Sequence, residues 1–295
     1  MAAEHIRTWR IGKVEVSRIV EVYGFADNIS MLFEGGTPEL LGRYDWLFPH
    51  FATPEGQMLL SFQAFVVKAG DRRIMVDTCI GNDRQRQFPI FNDMQTSFLD
   101  DIAHAGCPAE SIDTVLCTHL HFDHTGWNTR LVDGKWVPTF PNARYLIARG
   151  EYEDLKHAMV DGSHYTGHVP DAVQPILDAG LVDFIDYDHQ VTPEIRLFPT
   201  PGHTAGHCSV HISSEGQDAV ITGDLMHHPV QCAEPDRHGN FDGDKPMAAR
   251  TRREFLERYS DGKSLVIGSH FPDPTAGRLA RDGSGWRFNV DPSEA

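Results

Sequence analysis

Cysteine is scarce and does not fall in pairs. The 295 residues hold five, Cys79, Cys107, Cys117, Cys208 and Cys232, an odd number with no C-x-x-C pair. That composition argues against a disulfide framework. Cys117 and Cys208 lie in apolar, strand-like runs and read as small buried hydrophobes, with only their histidine-rich setting to suggest a nucleophile. Basic residues are also few, 26 against 42 acidic ones, for a formal net charge of −16. Such a balance repels phosphate backbones, so no nucleic-acid partner is expected. Long apolar runs are missing too. Without a stretch of about 18 apolar residues, no transmembrane helix is read and no membrane partner is expected. The N-terminus, "MAAEHIRTWRIGKVEV", is polar and charged from its start and lacks the apolar stretch of a secretory signal, so the expected location is the cytoplasm.

Repeats, low-complexity tracts and linkers are absent as well, which leaves residues 1–295 as one expected domain. With 40% hydrophobic and 23% charged residues, the chain has a globular composition and can bury a core without staples. Short β-type runs recur. "FQAFVVKAG" and "RRIMVDT" flank the turn at Gly70-Asp71 and predict a hairpin. "DTVLCTH", "ARYLIA", "LVDFID", "IRLFPTPG", "CSVHIS", "DAVITGD" and "SLVIGSH" read as further strands. Helical patterns interleave in "MQTSFLDDIAHAG", "EYEDLKHAMV", "DAVQPILDAG" and "MAARTRREFLERYS". Strands alternating with helices predict a mixed α/β fold. Residues 29–60 differ, being rich in Gly, Pro and aromatics without periodicity, as long functional or interfacial loops are.

Histidine is plentiful, with 17 residues, and its placement carries the chemistry. "VLCTHLHFDHTGW" puts His119, His121, Asp123 and His124 within six residues. Other apolar runs end in a metal-competent side chain: "IRLFPTPG" in His203, "AVITG" in Asp224 and "LVIGS" in His270. Strand ends on a rigid sheet suit ligand placement. Residues two apart in an extended segment point the same way, so His119 and His121 can share one ion. A turn at Gly126 can swing Asp123 and His124 to a second. Seven candidate ligands exceed the four that one zinc ion takes, and they suit two ions sharing a carboxylate. The alternative, a set of ordinary surface or hydrogen-bonded histidines, fits a lone histidine better than this cluster.

"THLHFDHTG" resembles the H-x-H-x-D-H signature of the metallo-β-lactamase-fold hydrolases, and "PTPGHTAGH", "ITGDLM" and "IGSHF" are similar to that family's later motifs in the same order. The resemblance runs from about Phe62 to Phe271. It implies an αββα sandwich with the metals at one edge of the two sheets. It also implies a first metal on His119, His121 and His203, a second on Asp123, His124 and His270, and Asp224 as the bridge. Aspartate at the bridging position disfavours the lactamases that use cysteine there. His121 disfavours the oxygen reductases that carry glutamate in its place. The chain is too short and too acidic for the extra domain of the nuclease branches. The run "GDLMHHPVQ" and the tail "SHFPDPTAGRLARDGSGWRF" look most like the lactonase and methyl parathion hydrolase-like branch. Acyl-homoserine lactonases carry a tyrosine three residues past the bridge, where this chain has His227.

The expected cofactors are therefore two divalent ions, zinc first, with manganese, iron or cobalt compatible with mixed N/O donors. The expected reaction is hydrolysis of a small neutral or apolar lactone or ester by a hydroxide held between the ions, with phosphotriesters as a side activity. Asp123, His227 or water would return the proton to the leaving oxygen. An exposed loop histidine is an equally good reading of His227. Alternatives are a glyoxalase II-like thioesterase or phosphodiesterase of the same fold, and an inactive metal-binding protein. His207 reads either as a ligand-orienting residue or as a buried hydrogen-bonded one. Asp77, ending "RIMVD", is expected to hydrogen-bond a ligand histidine, whereas His168, His211 and His228 have no argument beyond their type. An N-terminal extension of about residues 1–60 is expected to form a pocket wall or dimer arm. Phe25, Trp46, Phe48 and Phe51 are its candidate pocket aromatics, and the same apolar surface suggests a homodimer.

Overall fold

The computed structural model describes residues 6–290. One sheet has seven strands in the spatial order β1 (Arg7–Ile11), β2 (Val14–Asp27), β3 (Met58–Ala69), β4 (Arg72–Val76), β5 (Thr114–Leu116), β8 (Arg144–Ala148) and β9 (Val182–Ile185). A small hairpin, β6 (Thr129–Val132) and β7 (Lys135–Pro138), lies apart from it. The second sheet also has seven strands, in chain order: β10 (Gln190–Thr192), β11 (Ile195–Pro199), β12 (Cys208–Ser214), β13 (Gln217–Ile221), β14 (Leu265–Ile267), β15 (Ala276–Asp282) and β16 (Gly285–Val290).

The expected hairpin at Gly70-Asp71 is formed by β3 and β4, which pair antiparallel from Phe65↔Val76 to Ala69↔Arg72. β4, β5, β8 and β9 run parallel to one another, as do β13 and β14. Parallel neighbours need crossovers, and these carry α2 (Phe98–His104), α3 (Phe122–Thr125), α4 (Arg149–Asp161), α5 (Gln174–Asp178), α6 (Val230–Ala233) and α7 (Lys245–Tyr259), whereas α1 (Pro38–Leu41) lies between the antiparallel β2 and β3. The four helical patterns in the sequence correspond to α2, α4, α5 and α7. "DAVQPILDAG" begins as a wider turn at Val169–Val173 before α5.

Three buried clusters define the layers. Val16, Phe65, Val76 and Leu116 of the first sheet meet Leu197, Val210, Ile221 and Ile267 of the second, forming the middle layer. On the outer face of the first sheet, Val66, Val115 and Tyr145 pack against Phe98, Ile102, Leu155 and Ile176. On the outer face of the second, Val220, Val266 and Leu279 pack against Phe255 and Leu256 of α7. β3 is buried along nearly its whole length, as a strand covered on both faces must be. This is the expected αββα sandwich. Among the described residues, no helix is long and apolar enough to cross a membrane.

Residues 6–60 are less of an appendage than the sequence suggests, and residues 1–5 of the expected extension lie outside the described residues. Residues 7–27 form β1 and β2 of the first sheet, with ladder pairing from Arg7↔Arg18 to Ile11↔Val14. Residues 29–57 contain only short helical turns, and they cover the outer face of the second sheet. Leu40, Leu41, Leu47 and Phe51 are buried there in the chain's own core. Those side chains therefore offer no surface for a dimer arm.

Candidate metal centre

The C-terminal ends of β4, β5, β13 and β14 open onto one edge of the sandwich. Past β5 the chain runs through His119 to His121 and then turns into the single-turn helix α3, which carries Asp123 and His124. The helical turn, more than Gly126 itself, swings these two side chains away from His121. Gly126 allows close packing of the next loop, since a Cβ there would meet the Ile80 carbonyl oxygen at 1.9 Å. Asp224 lies in a 3₁₀ turn, Gly223–Leu225, just after β13, and His270 follows β14.

All seven expected ligands come together. The donor atoms of His119, His121, His203 and Asp224 lie within 4.8 Å of one another, and so do those of Asp123, His124 and His270. Asp224 stands between the groups. Its Oδ1 is 3.1 Å from Nε2 of both His124 and His270. Its Oδ2 is 3.3 Å from His203 Nε2 and 3.7 Å from His119 Nε2.

The surroundings orient these rings. His124 Nδ1 donates to Asp77 Oδ2 at 2.8 Å, His270 Nδ1 to the Ser61 carbonyl at 3.0 Å, and His203 Nδ1 to Asp242 Oδ1 at 3.3 Å. Each partner can only accept, so each Nδ1 carries a proton and each Nε2 faces inward, available to an ion once that nitrogen is deprotonated. Inward nitrogens then crowd each other: His124 Nε2 is 3.2 Å from His270 Nε2, and His203 Nε2 is 2.9 Å from His121 Nδ1. His119 Nε2 is buried with no hydrogen-bond partner. Burial and the neighbouring rings hold His119 and His121 well below the ordinary histidine range. Burial also opposes charge on His124, but Asp224 and Asp77 outweigh it and hold its pKa well up. Asp224 is pushed up by burial and pulled further down by His124 and His270, so its carboxylate stays ionised. Converging lone pairs around a buried carboxylate fit divalent cations.

Asp77 meets its expectation by holding His124. His207 satisfies both readings: it is buried, and its Nε2 accepts the backbone N–H of Asp224 at 2.8 Å while its Nδ1 donates to the Thr200 carbonyl at 3.0 Å. His227 is not an exposed loop residue. It is buried, with Nε2 3.1 Å from Asp224 Oδ2 and its backbone N–H bound to Gln231 Oε1 at 2.7 Å. His168 and His228 are buried and bonded to the carbonyls of Leu120 and Phe51, each at 2.7 Å. His211 pairs with Asp218 at the surface of β12. All five cysteines are free and buried. Burial pushes the Cys208 thiol up to about 12 and Cys117 higher still, which removes both as nucleophiles.

A cavity of about 590 Å³ opens beside the cluster and reaches His121, Asp123, His203, Asp224, His227 and His270. Of the four expected aromatics, only Phe25 lines it. Phe51 is buried between Phe271 and Phe288, with ring centres 6.3 and 5.9 Å away, and Trp46 and Phe48 pack on the same outer core. Met31, Leu32 and Leu60 of the N-terminal 60 residues line it as well, as expected of a pocket wall, and six further aromatics complete it: Phe62, Phe88, Phe91, Phe122, Tyr165 and Phe241. Phe62 also lies edge-on to His270, at 5.1 Å. None of these six was singled out in the sequence, because they come from five separate segments that share no local pattern. Asp242 and Glu151, which touch the ligand loops, were missed for the same reason.

Residues 63–270 match the family model described as the Metallo-beta-lactamase superfamily. An N-acyl homoserine lactonase of a Bacillus species is 24% identical over 181 residues, which is 57% of this chain and 65% of that relative. The chain thus spans less than two thirds of that relative's length. Among solved structures, the hydrolase AbOPH of the beta lactamase superfamily superposes with a TM-score of 0.79 at 22% identity, covering 97% of both chains. The dizinc quorum-quenching lactonase AidC superposes with a TM-score of 0.80 at 21% identity, covering 99% of both. At these identities the two structures speak for the fold.

Proposed function

Since the chain belongs to the metallo-beta-lactamase superfamily, we propose that it is a hydrolase of small neutral lactones or esters, working at a two-metal centre with phosphotriesters as a side activity. The observation that carries this reading is Asp224, which presents one carboxylate oxygen to each of two groups of converging donors. His119, His121 and His203 would hold one ion, Asp123, His124 and His270 the other, and Asp224 both. Zinc suits the set, and manganese, iron or cobalt are compatible with it. When bound, such a pair supplies Lewis acidity and a water ionised near neutral pH.

The chain's own residues do the rest. Asp77, Ser61 and Asp242 fix the ring orientations. The aromatic wall takes the apolar body of the substrate and keeps bulk water from the reacting bond. Asp123 and His227 both line the cavity, and we assign them the return of a proton to the leaving oxygen. Among the described residues, none lining the cavity is Lys or Arg, which disfavours a thioesterase that must bind the carboxylates of glutathione. The complete donor set disfavours an inactive binding protein.

A panel of γ-lactones, aryl esters, a paraoxon-type triester, S-lactoylglutathione and a cephalosporin tests the reading, together with metal analysis of the purified protein. Turnover of lactones or aryl esters with two equivalents of metal is expected. Hydrolysis of the thioester alone, or fewer than about two equivalents of metal, would overturn it.

A further inference from the structure

Glu151 belongs to neither donor group, yet it touches the backbone of both loops that carry the first. It sits in the first turn of α4 and is 4% exposed. Its Oε1 accepts the N–H of Leu120, the residue between His119 and His121, at 2.9 Å. Its Oε2 accepts the Thr204 hydroxyl at 2.6 Å and the Gly206 N–H at 3.0 Å, just past His203. The other side of the Leu120 residue is held too, since its carbonyl accepts from His168 Nε2 at 2.7 Å.

Two further observations show that this contact is built. At Gly206 a Cβ would lie 2.3 Å from the Glu151 nitrogen, so glycine is what lets the His203 loop close on the start of α4. Glu151 also makes no ion pair with Lys or Arg among the described residues. A buried carboxylate satisfied only by neutral donors costs stability that an apolar side chain of similar size would not. Among the described residues, Glu151 makes no hydrogen bond or ion pair with the second donor group, whose histidines are braced by Asp77 and the Ser61 carbonyl.

We propose that Glu151 is a positioning residue that locks the His119–His121 and His203 loops together and thereby sets the affinity of the first metal position, leaving the second independent of it. The inference rests on the two-metal reading above.

The test is metal binding by the full-length protein, for wild type, Glu151→Ala, Glu151→Gln and Thr204→Val. It uses chelator-competition titration with zinc and anomalous diffraction from the loaded crystals. Wild type is expected to bind two equivalents. Glu151→Ala is expected to weaken one of them about 10- to 100-fold, with the retained ion on Asp123, His124 and His270. Glu151→Gln is expected to fall between, because its amide keeps one acceptor and turns N–H against a donor. Wild-type affinity for both equivalents, equal weakening of both, or a retained ion on the first group would overturn the proposal. If Glu151→Ala does not fold, Glu151→Gln and Thr204→Val decide it: unchanged affinities in both would overturn it. Wild-type protein that binds fewer than two equivalents is a different result, and it refutes the two-metal reading itself.

Discussion

Asp77 and His124 meet at 2.8 Å, carboxylate against Nδ1, and the same carboxylate oxygen accepts the Thr118 hydroxyl at 2.9 Å. That hydroxyl lies 3.1 Å from His119 Nδ1 and accepts from it once its own proton goes to Asp77. One aspartate thus orients a histidine from each donor group. Asp77 has φ 57°, in the left-handed region, which asparagine also tolerates. Asp77→Asn is therefore expected to fold and to weaken both metal equivalents, each about 10- to 100-fold. Chelator competition would check this, and weakening confined to one equivalent would contradict it. The contrast with Glu151, which touches the loops of one group only, is the sharper reading of the two variants together.

Metal removal should cost stability. A ligand at about 100 times its Kd contributes about 2.7 kcal/mol, and the crowded inward nitrogens lose their partner when the ions leave. Chelation is expected to lower Tm by roughly 5–10 °C, given about 2–4 °C per kcal/mol for domains of this size class. Differential scanning calorimetry with and without chelator checks it. A Tm that does not move would leave the cluster without a role in folding.

His227→Ala separates proton return from metal holding. The ring touches Asp224 and faces the cavity but stands outside both donor groups. A drop in kcat of about 10²-fold, with metal content kept and KM little changed, is expected. Unchanged kcat/KM on the best substrate would remove His227 from the reaction.

These residues also mark what is legible in the sequence. The seven donors and Asp77 sit at or just past strand ends, and a run of apolar residues broken by a metal-competent side chain is a local signal. The partner of a buried carboxylate is not. Glu151 reads as an ordinary acidic residue in a helix's first turn, favourable for the dipole alone, and its partners lie 31 to 55 residues away. The aromatic wall was misplaced for a related reason. Composition drew attention to residues 29–60, but Phe51 is spent on the core beneath β16. The further aromatics that face the cavity are scattered phenylalanines and Tyr165, which in sequence look like any core position. β1 and β2 were within reach, since "RTWRIGKVEV" alternates about a Gly12-Lys13 turn, and grouping them with the irregular stretch that follows obscured the hairpin.

Asp242 and Arg252 support a pH-dependent prediction. Arg252 is fully buried, and its guanidinium lies 3.2 Å from Asp242 Oδ2, while Asp242 Oδ1 faces His203. Burial pushes the Asp242 carboxyl up, but the His203 hydrogen bond and the nearby charges outweigh it and hold the group well below the ordinary carboxylate range. Burial pulls Arg252 down from its ordinary value, yet a guanidinium stays charged at any pH where the fold survives. A depressed carboxylate contributes stability that is present above its unfolded pKa of 3.8 and is lost as pH falls through its folded value. Arg252→Met removes the guanidinium and leaves Asp242 buried with one partner fewer. Its cost is expected to be about 3–5 kcal/mol at neutral pH. Burial raises the Asp242 carboxyl and Arg252 is one of the groups that lower it, so the variant takes up a proton at higher pH than wild type does and the difference should shrink between pH 7 and pH 4. Urea unfolding of metal-free wild type and Arg252→Met at pH 7 and pH 4 measures both ends of this change without interference from ligand loss. A cost that stays constant between the two would mean that Arg252 acts through its hydrogen bonds to the carbonyls of Leu225, Pro235 and Arg237, with Asp242 held by its other partners.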